Sequence, residues 1–328
     1  MIISRTPYRV SLFGEGSDAP AWSSAHGGAV LGFAINKYSM ISLRVLPPFF
    51  DYRYRVVWSK VELVQELAQI QHPVVREVLL TIPRLPGLEI HHDGDLPAGS
   101  GLGSGGSFMV GMLNVAHAFQ GTMASHRQLA LDAIHLGLNV LREECGRQDQ
   151  ILAAYGGVQH MIFDRDGSFH VEPLYFSRGR RESLQAGLMM FFVGHETTNP
   201  TEGWLEKDEV QHQLAAMTQQ GVEIIQNDDR SLNELGEMLH HSWSLKRSLV
   251  QGGYPERVEE IYQSARKAGA VGGKLTGVRG GFLLLWVNAH KRDKVRQALA
   301  DLVEVSVEIG SAGSKIVVYE PDDYREPC

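Results

Sequence analysis

Apolar residues alternate with Ser and Arg along Ile2–Phe13, and the run stops at Gly14-Glu15-Gly16-Ser17-Asp18. A period of two predicts a strand ending in a turn. Two further β-type runs fall within Ala29–Val45 and another at Tyr52–Trp58; Leu88–His92 reads as a short strand. Helical spacing appears at Val61–Ala68 and at Pro73–Leu80, where Pro73 suits a first turn. An apolar helix is predicted at Phe108–Phe119, then a longer one over Gln128–Cys145 capped by Gly146, with Asp149–Ala154 starting another. Val158–Phe163, Phe169–Leu174 and Leu188–Val193 read as strands, the first two joined by an Asp166-Gly167 hairpin turn. From Asp208 to Lys267 the pattern is helical, with Val222, Ile225, Leu232, Leu235, Met238 and Leu239 in one core-type stripe that Leu245, Leu249, Val258 and Ile261 continue. The strand Gly281–Val287, the helix Lys291–Leu302 and the strands Val303–Ile309 and Lys315–Tyr319 complete the chain. This order predicts an α+β protein of two lobes, divided near Leu184–Leu188.

Length and composition narrow the classes. The 328 residues can bury a large core without staples, and 43% apolar with 21% charged content excludes wholesale disorder. A net charge of −7 argues against nucleic-acid binding. No apolar run approaches the roughly 18 residues of a membrane span. Met1–Arg5 lacks a basic leader and h-region, and Cys145 and Cys328 make no disulfide framework, so the expected location is cytoplasmic.

Glycine is the informative residue: there are 35, above the average of about 7%, and they are clustered. The segment Gly99-Ser100-Gly101-Leu102-Gly103-Ser104-Gly105-Gly106-Ser107 opens directly onto an apolar helix. Backbone N–H groups of such a turn converge, and the helix adds its N-terminal partial positive charge, a combination suited to a polyphosphate. Gly101-x-Gly103-x-x-Gly106 and Gly14-x-Gly16-x-x-Ala19 invite a dinucleotide fold, but Ala19–Phe50 contains no acidic residue to hold a ribose. The Walker pattern fails because Gly273-Lys274 is followed by Leu275. His91-His92 and His240-His241 lack zinc-type spacing, and Gly101–Gly105 lacks the central serine of a hydrolase elbow.

Pro7-Tyr8-Arg9-Val10-Ser11-Leu12-Phe13-Gly14-Glu15-Gly16-Ser17-Asp18 resembles the first motif of the GHMP small-molecule kinases. Pro97–Ser107 resembles their phosphate loop, and Gly272–Phe282 their third, glycine-rich motif. The resemblance covers nearly the whole chain and is nearest to the D-glycero-D-manno-heptose 7-phosphate kinases, through Leu46-Pro47-Pro48-Phe49-Phe50, Gln148-Asp149-Gln150, Ala154-Tyr155-Gly156-Gly157 and His241-Ser242-Trp243 among others.

The resemblance implies a ribosomal-S5-like lobe over residues 1–185 and a ferredoxin-like lobe over 186–328, with ATP, Mg²⁺ and a small-molecule sugar phosphate between them. Carried over by position, Asp149 takes the catalytic aspartate's place and Arg9 that of the basic residue offsetting charge on the transferred group. Ser17 and Asp18 match sugar-contacting positions. The implied activity is phosphorylation of the anomeric hydroxyl of the heptose 7-phosphate to the 1,7-bisphosphate, for nucleotide-activated heptose and surface polysaccharide. Taken alone, Asp149 also fits a helix N-cap.

The departures cluster around the metal. Gly105 stands where relatives place a metal-binding serine, Gly137 where they place an acidic residue, and Val278 and Arg279 interrupt the third glycine run. Ser104 and Ser107 remain as candidate oxygen ligands, Ser104 being the expected metal contact. A nucleotide- or sugar-phosphate-binding pseudokinase, or a kinase for another sugar, therefore stays open as an alternative.

Overall fold

The computed structural model describes residues 1–143, 145–194, 207–250, 254–277 and 281–321. Its strands are β1 (Ile2–Phe13), β2 (Gly28–Val45), β3 (Tyr54–Val57), β4 (Val61–Val64), β5 (Leu88–Gly94), β6 (Val158–Phe163), β7 (Phe169–Pro173), β8 (Leu188–Gly194), β9 (Ala270–Leu275), β10 (Gly281–Val287), β11 (Val303–Glu304) and β12 (Lys315–Tyr319). The α-helices are α1 (Pro20–His26), α2 (Pro73–Leu80), α3 (Ser104–Phe119), α4 (His126–His135), α5 (Gln148–Tyr155), α6 (Arg178–Gly187), α7 (Asp208–Gln226), α8 (Asn233–Arg247), α9 (Glu256–Ala268) and α10 (Arg292–Ala298).

The strands form two sheets, one for each lobe of an α+β fold. The first has eight strands with a spine β12-β1-β2-β5-β3-β4, and β6 joins β2 to β7. The 18-residue β2 serves two partners on one edge, β6 along Gly28–Phe33 and β5 along Ser39–Val45. Helices α3 and α5 pack on this sheet through Val110, Met112, Val115, Ile151 and Leu152, all buried. The second sheet runs β11-β8-β10-β9, antiparallel throughout.

A second core joins the lobes, with Tyr8, Phe13 and Phe33 from the first sheet meeting Leu214, Ile225, Leu239 and Trp286. Hence β1 is buried along its whole stretch from Thr6 to Phe13. Because β12 pairs with β1, Lys315–Tyr319 belongs to the first sheet, whereas a cut at 185/186 assigns it to the second lobe.

Several local expectations are overturned. Val61–Ala68 is a strand followed by a 3₁₀ turn at Leu67–Gln69, and Gln128–Cys145 is a helix only to His135, continuing as a π-turn over Leu136–Val140. Pro20–His26 is a short helix starting at its proline, and α6 and β9 have no counterpart in the sequence-based expectation. The predicted strand Val303–Ile309 keeps only two strand residues and an isolated bridge from Ile309 to Ile35. The core stripe holds: Val222, Ile225, Leu232, Leu235, Met238, Leu239, Leu249 and Val258 are buried.

Candidate active site

A charged side chain on a central strand must be paired, since an isolated buried charge is costly. Arg9, on β1 and 7% exposed, meets that need at the start of α5. Its Nε donates to Asp149 Oδ1 at 2.7 Å, Nη2 lies 2.6 Å from the same oxygen, and Nη1 donates to Gly101 O at 2.6 Å. Asp149 sits in the first turn of α5, where the helix dipole favours a carboxylate. Its side chain keeps 29% of its exposure, and Oδ2 has no partner among the described residues. One carboxylate oxygen is thus anchored and the other is open.

The glycine loop is built against this pair. Gly99, Gly101 and Gly103 all adopt left-handed φ, at 72°, 77° and 74°. A Cβ on Gly103 would lie 2.8 Å from Arg9 Cγ, and one on Gly106 would lie 2.7 Å from Asp149 Cβ. Gly101 packs on Gly277, where a Cβ would approach the backbone nitrogen to 2.3 Å, and Gly281 packs on Ser100 O. Thr276 Oγ1 also donates to Ser100 O at 3.2 Å. The third glycine motif therefore buttresses the loop; Val278 and Arg279 lie outside the described residues.

Gly99 and Gly105 behave differently, because a Cβ on either meets no atom of the described residues within 4 Å. They face open space at the head of α3, whose N-cap, Gly103, supplies no side-chain cap. The first-turn N–H groups of this 16-residue helix therefore have no side-chain cap, the arrangement that can receive an anion.

Ser104 Oγ accepts from Gly99 N–H at 3.2 Å. Ser107 is fully buried and its hydroxyl donates to Pro7 O at 2.8 Å, so it is spent inside the protein and drops out as a metal ligand. Gly137 is buried in the π-turn, where a Cβ would lie 3.5 Å from Met109 Sδ and 3.6 Å from Gln150 Nε2.

The β1–α1 loop presents a correction. Ser17 is fully buried, with its hydroxyl 2.7 Å from Gly14 O and 2.8 Å from Ala29 O, while accepting from Ala29 N–H at 3.1 Å. Asp18 is 1% exposed and accepts from Gln148 N–H at 2.9 Å and Gly16 N–H at 3.2 Å. Burial pushes its carboxyl pKa up, against the pull of the Gln148 N–H. Ser17 ties the loop to the start of β2 and Asp18 ties it to α5, with the polar groups of both spent inside the protein. Arg147 completes the clamp, donating to Asp18 O, Gly167 O and Ser23 Oγ.

The loop's remaining acidic residue, Glu15, departs from the glycine of close relatives in the first motif, and its partnership with Lys246 is what sequence reasoning misses. Its Oε2 lies 2.6 Å from Lys246 Nζ on α8 and 2.9 Å from Lys274 Nζ on β9. Burial alone would raise the Glu15 carboxyl, but the two ammonium groups outweigh it and hold it at about 2. Burial brings the Lys274 ammonium down to about 8 despite Glu15.

An aromatic cluster lies beside α3: His72 stacks on Phe108 at 4.5 Å, Trp58 meets His72 edge-on at 4.9 Å, and His92 meets Phe108 at 4.8 Å. His72 Nδ1 is buried with no partner among the described residues. His91 instead pairs with Glu89 at 2.7 Å, as expected for neighbouring strand residues that point apart.

Two family descriptions match the chain: GHMP kinases N terminal domain over residues 61–157 and GHMP kinases C terminal over 222–304. A D-glycero-alpha-D-manno-heptose 7-phosphate kinase of Campylobacter jejuni is 24% identical over 314 residues, covering 91% of this chain and 93% of that protein. A crystal structure described as a D-glycero-D-manno-heptose 1-phosphate kinase from Bacteriodes thetaiotaomicron superposes with a TM-score of 0.80 at 21% identity, covering 98% of this chain and all (100%) of the other. Lactococcus lactis galactokinase complexed with galactose gives 0.72 at 15% identity, over 96% and 94%.

Proposed function

Since this chain belongs to the GHMP kinase family, we propose that it is an ATP-dependent kinase of a sugar phosphate, with the anomeric hydroxyl of D-glycero-D-manno-heptose 7-phosphate as acceptor and the 1,7-bisphosphate as product. The observation that carries this reading is the Arg9–Asp149 pair at the mouth of an uncapped, glycine-cradled helix. The likeness to the Campylobacter jejuni kinase along almost the whole length supports the choice of sugar.

Each residue then has a task. The Gly99–Ser107 backbone and the α3 N-terminus hold the polyphosphate, with Gly99 and Gly105 giving it room. The open Oδ2 of Asp149 orients the acceptor hydroxyl and takes its proton as the new O–P bond forms. The bond between the γ-phosphorus and the β–γ bridging oxygen breaks, and ADP leaves. Arg9, fixed by two acceptors, offsets charge on the transferred group without having to reorganise. The Trp58–His72–Phe108 stack, continuous with α3, receives the nucleotide base.

Mg²⁺ fits this site as an ion carried by the nucleotide. Protein oxygens near the loop are few, Ser104 Oγ and Asp149 Oδ2, and Mg²⁺ commonly retains several waters. When bound it neutralises charge on the β- and γ-phosphates. A coupled assay of ADP release with ATP, Mg²⁺ and a panel of sugars and sugar phosphates tests the proposal. Turnover confined to heptose 7-phosphate supports it; nucleotide binding without turnover on any sugar would select the pseudokinase reading.

A further inference from the structure

Apart from the Arg9–Asp149 pair and the Asp18–Arg147 clamp, the described residues hold a buried knot of charge that carries an excess. Glu15 contributes a single negative charge, while Lys246, 5% exposed, and Lys274, fully buried, contribute two positive ones. The two lysines are not equivalent. Lys274 Nζ spends its donors on Glu15 and on Leu12 O, at 3.1 Å, so it ties β9 to the end of β1. Lys246 Nζ donates to Glu15 Oε2 and has no other partner among the described residues. Two of its three N–H donors are therefore unspent inside the protein, a costly arrangement unless something else receives them.

A second unspent donor lies close by. The hydroxyl of Tyr254 is buried without a partner among the described residues, and the ring packs on Trp243 at a centroid distance of 4.5 Å. Tyr254 rests on Trp243, which stands one turn before Lys246 on the same face of α8. Glu15 follows directly on β1, the strand that carries Arg9. Surplus positive charge together with unspent N–H and O–H donors matches an acceptor-rich anion, whereas a neutral sugar hydroxyl would leave the charge uncompensated. The carboxylate has a consistent place here: it holds the two ammonium groups together when no ligand is present.

We propose that Lys246 and Tyr254, positioned by Glu15 and Lys274, form the subsite for the phosphate monoester that the sugar substrate already carries, and so make the enzyme selective for phosphorylated sugars. This rests on the sugar-kinase reading above. Lys246 arises from α8 of the second lobe and Glu15 from the first, so the subsite also spans the two lobes.

The test compares phosphorylated sugars with their unphosphorylated parents: D-glycero-D-manno-heptose 7-phosphate with the heptose, and mannose 6-phosphate with mannose. ADP release and ligand-induced melting shifts are recorded for the wild type, Lys246→Met, Lys246→Arg and Tyr254→Phe. In Lys246→Met the KM for the phosphorylated sugar should rise about 10- to 100-fold, the range of a lost charged hydrogen bond, with a loss at least about tenfold smaller on the parent. Lys246→Arg should restore part of the preference, and Tyr254→Phe should raise the same KM several-fold while leaving the fold intact. Equal losses on both members of each pair, or none, would overturn the subsite even where the kinase reading stands. If no sugar is turned over, the kinase reading fails, and the melting shifts decide the subsite alone. Stabilisation by the phosphorylated sugar that is lost in Tyr254→Phe keeps it, and no stabilisation in the wild type removes it.

Discussion

Arg9 and Asp149, 140 residues apart in sequence, meet so that both side-chain bonds fall on one carboxylate oxygen, from Nε at 2.7 Å and Nη2 at 2.6 Å. The arginine thereby fixes the direction in which Oδ2 points. Asp149→Asn keeps the shape but removes the proton acceptor. Turnover should fall at least ~10²-fold while ATP still raises the melting temperature. Steady-state ADP release and thermal shifts measure the two effects, and near wild-type turnover would remove Asp149 from the chemistry.

Two glycines of one loop should respond in opposite ways. Gly103→Ala places a Cβ 2.8 Å from Arg9 Cγ on a residue with φ of 74°. It should cost about 1–2 kcal/mol of stability and harm turnover more than ATP affinity. The Cβ of Gly105→Val meets no atom of the described residues within 4 Å, so the free enzyme should stay folded while ATP-induced stabilisation disappears. Calorimetric titration with ATP on both variants checks the contrast.

The metal can be probed by restoration. Gly105→Ser adds a hydroxyl in open space and should lower the Mg²⁺ concentration that gives half-maximal rate. Gly137→Glu must bury its carboxyl beside Met109 and Gln150, so alone it should cost about 1–3 kcal/mol in urea unfolding. If both groups serve one ion, the double variant should be non-additive in its Mg²⁺ dependence. Additive behaviour would separate position 137 from the metal.

Acid should loosen the joint between the lobes. The Glu15 carboxyl, 4.5 when free and about 2 when folded, contributes stability that is complete above pH 4.5 and lost as pH falls toward 2. Lys274 shifts stability with pH in the same direction but in a higher window: between about 8 and its free value of 10.5 the unfolded chain binds more protons, so stability rises as pH rises and the buried ammonium is neutralised. Urea midpoints followed from pH 2 to 7 should fall less steeply in Glu15→Gln than in the wild type, although the variant starts from a lower value. Parallel curves would show that Glu15 does not titrate in this window.

Local chemistry made part of this legible. The alternation of β1, the Gly99–Ser107 loop and Asp149 at a helix start each express themselves within a dozen residues. Val61–Val64 misleads because the buried member of that strand is Glu62, 6% exposed and bonded to Trp58 Nε1, while Val61 and Leu63 face outward. The Gln128–Cys145 helix fails at a π-turn that no periodicity announces. Lys246 stays hidden for a different reason: it lies 231 residues from Glu15 on an otherwise amphipathic helix, where a lysine reads as solvated surface.

Because β12 covers the outer edge of β1, the order in which the chain is made matters. β1 pairs on one side with β2, which follows it closely in the chain, and on the other with Lys315–Tyr319, which is made only after the whole second sheet. Until then β1 is an open edge with its hydrogen-bonding groups unpaired, a template for pairing with another nascent chain. The seam is fastened by buried polar contacts, Thr6 Oγ1 with Ser314 Oγ at 2.8 Å and Asn114 Nδ2 with the same Ser314 oxygen at 3.0 Å. Ribosomes stalled short of residue 315 should therefore carry protease-sensitive, chaperone-bound first lobes, and emergence of Lys315–Tyr319 should close them in a single late step.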